Sequence, residues 1–189
     1  MTDPLLRMSG MDKHFPGVQA LTEAELEVLP GEVHVLLGEN GAGKSTLMKI
    51  LCGQYAADAG EVVFAGRTVQ PSGPLEAERL GLVMIHQELN LVPGLTVAEN
   101  IYLGHEPTSG GLIGDRSMAA GARDLLQRLK CDIDPGLPVA ELSVAEQQLV
   151  EIARALQRQA RLLVMDEPSA ALSDTEIEAL FAVIRDLVD

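Results

Sequence analysis

Basic residues are scarce in this chain: 14 Lys and Arg face 28 Asp and Glu, for a formal net charge of −14. Such an acidic balance repels DNA, RNA and anionic lipid except at a locally basic site. Nucleic acid is therefore not an expected partner. Cysteine is nearly absent. Cys52 and Cys131 stand alone, without paired spacing or a nearby histidine, which excludes a disulfide framework and a thiolate metal site. No uncharged apolar run reaches membrane-spanning length, and the N-terminus MTDPLLRMSGMDK lacks a basic region followed by an apolar core and cleavage site. The expectation is a soluble chain kept inside the cell. Internal repeats and low-complexity tracts are also missing.

What is present suffices for a core, since 47% of 189 residues are hydrophobic. That accommodates one domain, or one domain with a small appendage. GEVHVLLGENGAGKSTLMKILCG reads as a buried strand over Val33 to Leu37, a glycine turn, and a helix from about Lys44 to Cys52 capped by Gly53. GEVVFAGRTV alternates between glycines and predicts an antiparallel edge element. GLVMIHQ and ARLLVMDEP are two more buried-strand candidates, the second stopped by Pro168. Together these strands predict a largely parallel sheet.

Between Glu88 and Glu141 loop-rich segments bracket a helix in DRSMAAGARDLLQRLK, with a possible cap at Asp115 and Ala122, Leu125, Leu126 and Leu129 on one face. This predicts an inserted helical subdomain. In the last segment, Ser173 and Glu176 have capping-box spacing ahead of a helix whose apolar positions run from Ile177 to Val188.

GENGAGKST satisfies G-x-x-x-x-G-K-[ST] from Gly38 to Ser45, with Thr46 following. Successive backbone N–H groups can surround a phosphate only where side chains do not block them, and a helix N-terminus adds positive potential. Residues Gly38, Glu39, Asn40, Gly41, Ala42, Gly43, Lys44, Ser45 and Thr46 are thus the candidate nucleotide cradle. Lys44 would reach the β- and γ-phosphates, and the Ser45 hydroxyl would ligate Mg²⁺. Such a loop predicts a carboxylate at the end of a neighbouring strand, and RLLVMDEP offers Asp166 and Glu167. Alone, an apolar run ending in Asp-Glu-Pro is commonly a strand-to-turn junction. Beside the glycine loop, Asp166 suits a metal and Glu167 can orient and polarise an attacking water. LSVAEQQLVEIARAL adds a second capping box, Ser143 and Glu146.

At these residues the chain resembles the ATP-binding-cassette family. GENGAGKST matches its phosphate loop, LLVMDEP its metal and water strand, IHQELNLVP its glutamine loop with Gln87, and LSVAEQQ its signature. The fold implied is α/β, a P-loop NTPase with a largely parallel core sheet, an antiparallel β edge subdomain and an inserted α-helical subdomain. Residues 1–86 and 158–189 would form the ATP-binding core and 87–157 the helical subdomain with the signature. The resemblance also implies that Phe15 stacks on adenine, although a core phenylalanine is the other reading, and that Gln87 senses the γ-phosphate through metal and water. Ser143 would meet nucleotide across a cassette interface.

Within the family, RLGLVMIHQELNLVPGLTVAENIYLGHEP is similar to the first cassette of bacterial monosaccharide importers. Implied partners are ATP with Mg²⁺, two membrane permease subunits, a second cassette and, indirectly, a periplasmic sugar-binding protein. The implied location is the cytoplasmic face of the cell membrane. A nucleoside importer, a soluble regulatory ATPase and a nucleotide-binding scaffold without catalysis remain alternatives.

Three departures accompany the resemblance. The signature reads Leu142, Ser143, Val144, Ala145, Glu146, without the family's glycines; Ser173 stands where the family has an aspartate; and His14, His34, His86 and His105 all precede the place of the family's γ-phosphate histidine. The expectation is therefore a fragment that binds ATP·Mg²⁺ weakly and hydrolyses it slowly or not at all.

Overall fold

The computed structural model describes residues 3–39, 41–86, 89–109, 112–168 and 172–188. Two long strands, β1 (Leu6–Phe15) and β2 (Val18–Val28), are joined at a tight turn and pair antiparallel, Leu6 opposite Val28 and Phe15 opposite Val18. Their alternation puts Leu6, Met8, Leu26 and Val28 inside. On the other edge of β1 lies β3 (Ala59–Phe64), also antiparallel, followed by β4 (Arg67–Thr68). The four-stranded order is β2-β1-β3-β4, so GEVVFAGRTV forms the antiparallel element that its alternation predicts. Helix α1 (Lys44–Leu51) buries Leu47, Ile50 and Leu51 and ends at Cys52, with Gly53 following at φ 70°.

The chain divides into two compact units, residues 1–82 with 184–189, and residues 83–183. The sheet just described and α1 belong to the first, as does α2 (Pro74–Leu80). The division falls at the start of β5 (Leu82–Ile85). In the second unit β5 pairs with β8 (Leu162–Met165). The Asp166 N–H, one residue past β8, donates to the Ile85 carbonyl at the end of β5 at 3.1 Å. The two C-terminal ends thus lie together, as only parallel strands allow.

Three helices pack on one another in the second unit: α3 (Val97–Tyr102), α4 (Asp115–Arg128) and α5 (Val144–Gln157). Ile101, Ala122, Leu126, Val150, Ile152 and Ala153 are at most 1% exposed there. Each of the larger aliphatic side chains contributes about 1.5–3 kcal/mol by burial. Short strands β6 (Thr108–Ser109) and β7 (Leu112–Ile113) form a hairpin ahead of α4. The last helix, α6 (Asp174–Val188), crosses the division after Val183.

Two local expectations change. Val33 to Leu37 forms no strand, and Val33, Val35 and Leu37 are 50%, 67% and 87% exposed. Apolar alternation gives a segment strand character only when a neighbour completes its ladder, and no described strand pairs with it. Just before it the Glu32 carboxylate accepts from the Leu29 N–H at 2.7 Å and meets the His34 ring at 2.9 Å, holding residues 29–34 in a local turn. At α4 the N-cap is Gly114, and Asp115 is the first helical residue. Its carboxylate there faces the positive end of the helix without capping it.

Candidate functional site

The glycine loop takes its shape from three backbone facts. Gly41 and Gly43 both occupy the left-handed region, at φ 87° and 85°. A Cβ on Gly43 would lie 2.5 Å from the Ala20 carbonyl oxygen in β2, so glycine is required for close approach as well as for φ. The Ala42 N–H turns back to the Glu39 carbonyl at 3.1 Å, and the first bond of α1 runs from Leu47 N–H to Gly43 O at 2.9 Å. The N–H groups of Lys44, Ser45 and Thr46 therefore lie ahead of the helical ladder, where an anion can accept from them.

Inside this loop the Lys44 ammonium donates to the carbonyls of Gly38, at 2.5 Å, and Glu39, at 3.0 Å. A phosphate would offer it stronger, charged acceptors in the same place. Among the described residues, nothing beyond the chain neighbours lies within 4 Å of where a Gly41 Cβ would stand, and the donor set fits a phosphate chain. Ser45 is exposed and Thr46 half-buried at the start of α1. Asn40, the remaining member of the predicted cradle, lies outside the described residues.

Phe15 ends β1 in the same unit and is half-buried. Its ring meets that of Tyr55, with centroids 5.3 Å apart and planes at 73°, an edge-to-face contact. The Lys13 ammonium lies over the Phe15 ring at 5.5 Å, and the Lys49 ammonium over the Tyr55 ring at 5.6 Å. The chain has four lysines; three of them, Lys13, Lys44 and Lys49, belong to this loop and this aromatic pair. Asp58 closes the group, accepting from Lys13 at 2.8 Å and from the His14 N–H at 2.6 Å. Those two bonds hold its carboxyl below the usual aspartate range.

The second unit carries the other candidates. Asp166 and Glu167 follow β8, Asp166 tied by its N–H to Ile85 and Glu167 exposed with φ 46°. Proline at 168 disfavours the right-handed helical region for Glu167, and its left-handed backbone costs about 1–3 kcal/mol. The carboxamide of Gln148 on α5 donates to the Pro168 carbonyl, linking the residue after Glu167 to the signature helix. Ser143 is the N-cap of α5: its hydroxyl accepts from the Glu146 N–H at 3.3 Å, and the Glu146 carboxylate accepts from the Ser143 N–H at 2.8 Å. Glu146 is thereby committed to its own helix start. Gln87 lies outside the described residues, and the described residues contain no group of three or more His, Cys, Asp or Glu able to hold a metal.

Sequence reasoning passed over the residues that hold the segment after Gln87. The Glu151 carboxylate, 8% exposed, accepts from the Asn90 N–H at 2.9 Å, and an Arg154 guanidinium N–H donates to the Asn90 carbonyl at 2.9 Å. Asn100, fully buried on α3, accepts from the Val92 N–H at 2.7 Å and donates to the carbonyls of Val92, Leu95 and Thr96. A polar residue at an inward helical position was the available signal for both.

A family model described as ABC transporter matches residues 21–170. The chain belongs to the ABC transporter family. Among its relatives, a ribose import ATP-binding protein of Rubrobacter xylanophilus is 56% identical over 184 residues, covering 97% of this chain and 37% of the relative. A putative ribose/galactose/methyl galactoside import ATP-binding protein of Burkholderia cenocepacia is 51% identical over 188 residues, covering 98% of this chain and again 37% of the relative. The chain thus spans little more than a third of the length of these relatives. In structure it is similar to an ATP-binding cassette of an ABC transporter solved in its ADP conformation, with TM-score 0.85, 29% identity, and coverage of 99% of this chain and 78% of that one. The α/β cassette fold, with an antiparallel sheet, a parallel pair and helices, agrees with that neighbour.

Proposed function

We propose that this chain is the ATP-binding and hydrolysing cassette of a sugar importer. The observation that carries the reading is the glycine loop: Lys44 on the Gly38 and Glu39 carbonyls, with the start of α1 behind it. The relatives' names supply the sugar class, since both are import ATP-binding proteins for ribose or related sugars. The partners proposed are membrane permease subunits, a second cassette and, indirectly, a periplasmic sugar-binding protein. The protein would lie peripherally on the cytoplasmic face of the membrane. No helix among the described residues is long and apolar enough to cross one.

In this reading Lys44 exchanges its two carbonyl partners for β- and γ-phosphate oxygens, and the N–H groups of residues 41–46 converge on the same phosphates. Mg²⁺, held by Ser45, Asp166 and Gln87, would neutralise charge on the phosphate oxygens. Phe15 would stack on the base. Glu167 would hold the attacking water in line with the γ-phosphate and take up its proton. Ser143, at the capped start of α5, would meet the nucleotide of an opposing cassette. Residues 1–86 and 158–189 would serve as the ATP-binding core and 87–157 as the helical subdomain.

The test separates binding from chemistry. Phosphate release and radiolabelled ATP binding are measured for the wild-type chain and for Glu167→Gln. The expected result is ATP binding retained in the variant, with the slow turnover of the wild type lowered to the uncatalysed rate; equal turnover above background in the two would remove Glu167 from the mechanism.

A further inference from the structure

Two of the five aromatic rings in the chain meet at Phe15 and Tyr55, and the chemistry assigned so far uses only one of them. Tyr55 is carried by the loop that leaves α1, and its N–H and that of Gln54 both bond to the Lys49 carbonyl, at 3.2 and 2.8 Å. Three residues on, Asp58 donates its N–H to the Asp12 carbonyl at 2.9 Å while its carboxylate grips Lys13 and the His14 N–H. One loop therefore grips the end of β1 twice, by the Tyr55 ring at Phe15 and by Asp58 at the three residues before it. The same loop continues from the helix whose first residue is Lys44. α1 is eight residues long, about 12 Å at helical rise, so a short rigid path joins the phosphate loop to the aromatic pair.

We propose that Tyr55 is a positioning residue for the nucleotide base: its edge-to-face contact fixes the Phe15 ring, and the loop from α1 sets that ring at a defined reach from the phosphate cradle. The proposal rests on the ATP-binding reading above and adds to it how the base platform is built. The Lys13 ammonium lies over the Phe15 ring and Tyr55 meets that ring at an angle, so the base takes the ring surface that neither covers. Without Tyr55 the Phe15 side chain regains rotational freedom, which the base must remove when it stacks. Affinity for the phosphates, which touch neither ring, stays as it is. Tyr55 is 38% exposed, so its replacement opens no sealed cavity.

The experiment measures equilibrium affinity of the purified chain for ATP and for inorganic tripolyphosphate, each with Mg²⁺, in the wild type, Tyr55→Ala, Tyr55→Leu and Tyr55→Phe, with Lys44→Ala alongside. Tyr55→Ala and Tyr55→Leu are expected to weaken ATP roughly threefold to tenfold, the scale of an aromatic pair, while leaving tripolyphosphate unchanged. Tyr55→Phe restores ATP affinity. Because the chain has no tryptophan and two tyrosines, tyrosine emission in a Tyr102→Phe background reports Tyr55 alone. ATP should change that emission and tripolyphosphate should not. Equal weakening of both ligands by Tyr55→Ala and Tyr55→Leu would overturn the proposal, because it would make Tyr55 a general support of the unit; so would ATP affinity unchanged in both. Tripolyphosphate binding insensitive to Lys44→Ala would overturn instead the phosphate-cradle reading, and a wild type that binds neither ligand would overturn both.

Discussion

Gly41 and Gly43 sit two residues apart with nearly the same left-handed backbone, yet a methyl group added to each would meet different surroundings. At Gly41 it finds nothing within 4 Å; at Gly43 it lies 2.5 Å from the Ala20 carbonyl oxygen and 2.6 Å from Leu21 Cδ2. Alanine at either site carries the left-handed backbone cost, about 1–2 kcal/mol. Only Gly43→Ala adds a steric cost, because the Ala20 oxygen belongs to the backbone of β2, at the irregularity between Leu21 opposite Lys13 and Gln19 opposite His14, and the Leu21 side chain lies beside it. Forcing a methyl into such a contact costs about 1–3 kcal/mol more. The sums are about 1–2 kcal/mol for Gly41→Ala and roughly 2–5 kcal/mol for Gly43→Ala. Urea unfolding of the two variants and the wild type, compared at a common slope, measures both values. Equal losses in the two variants, or a larger loss at Gly41, would refute the packing of the loop against β2.

Asn100→Ala removes the side-chain partner of the Val92 N–H and of the Val92, Leu95 and Thr96 carbonyls from a fully buried position, and is expected to cost about 1–3 kcal/mol in the same assay; a loss within experimental error would remove Asn100 as the organiser of that loop. Acid stability should depend on the helix-start carboxylates. The Thr96 N–H and hydroxyl hold Glu99 below the ordinary glutamate value of 4.5, and the Ser173 hydroxyl and N–H do the same for Glu176. A folded value below the unfolded one stabilises above about pH 4.5, and that stability disappears as pH falls through the folded value. Glu99→Gln should therefore flatten the acid limb of a stability-against-pH curve below pH 4.5 and leave its slope near neutrality unchanged. An acid limb identical to that of the wild type would contradict the assignment.

Local chemistry was readable where it is self-contained. The helix that starts at Lys44 behind the glycines, and the Ser143 cap with Glu146 three residues later, both form as their spacing predicts. β5 and β8 also appear where their apolar runs stand. What periodicity could not reveal depends on partners distant in sequence. Val33 to Leu37 alternates like a strand, but whether a ladder forms is decided by a neighbour and not by the segment. Glu151 and Asn100 are polar residues at inward positions, which a pattern of apolar residues treats as outward-facing, and each finds its partner in the loop from Asn90 to Thr96. Tyr55 reaches Phe15 across forty residues of chain, through a turn and a helix whose relative placement no spacing rule gives. Asp115, a good capping residue, falls one position inside the helix, whose N-cap is Gly114.

The central claim is that residues 38–46 form a cradle for the phosphates of ATP with Lys44 as its cation. Calorimetric titration of the purified chain with ATP·Mg²⁺, beside Lys44→Ala, tests it most directly. The account predicts saturable one-to-one binding in the wild type that the variant loses; binding of equal strength in both, or none in the wild type, would contradict it.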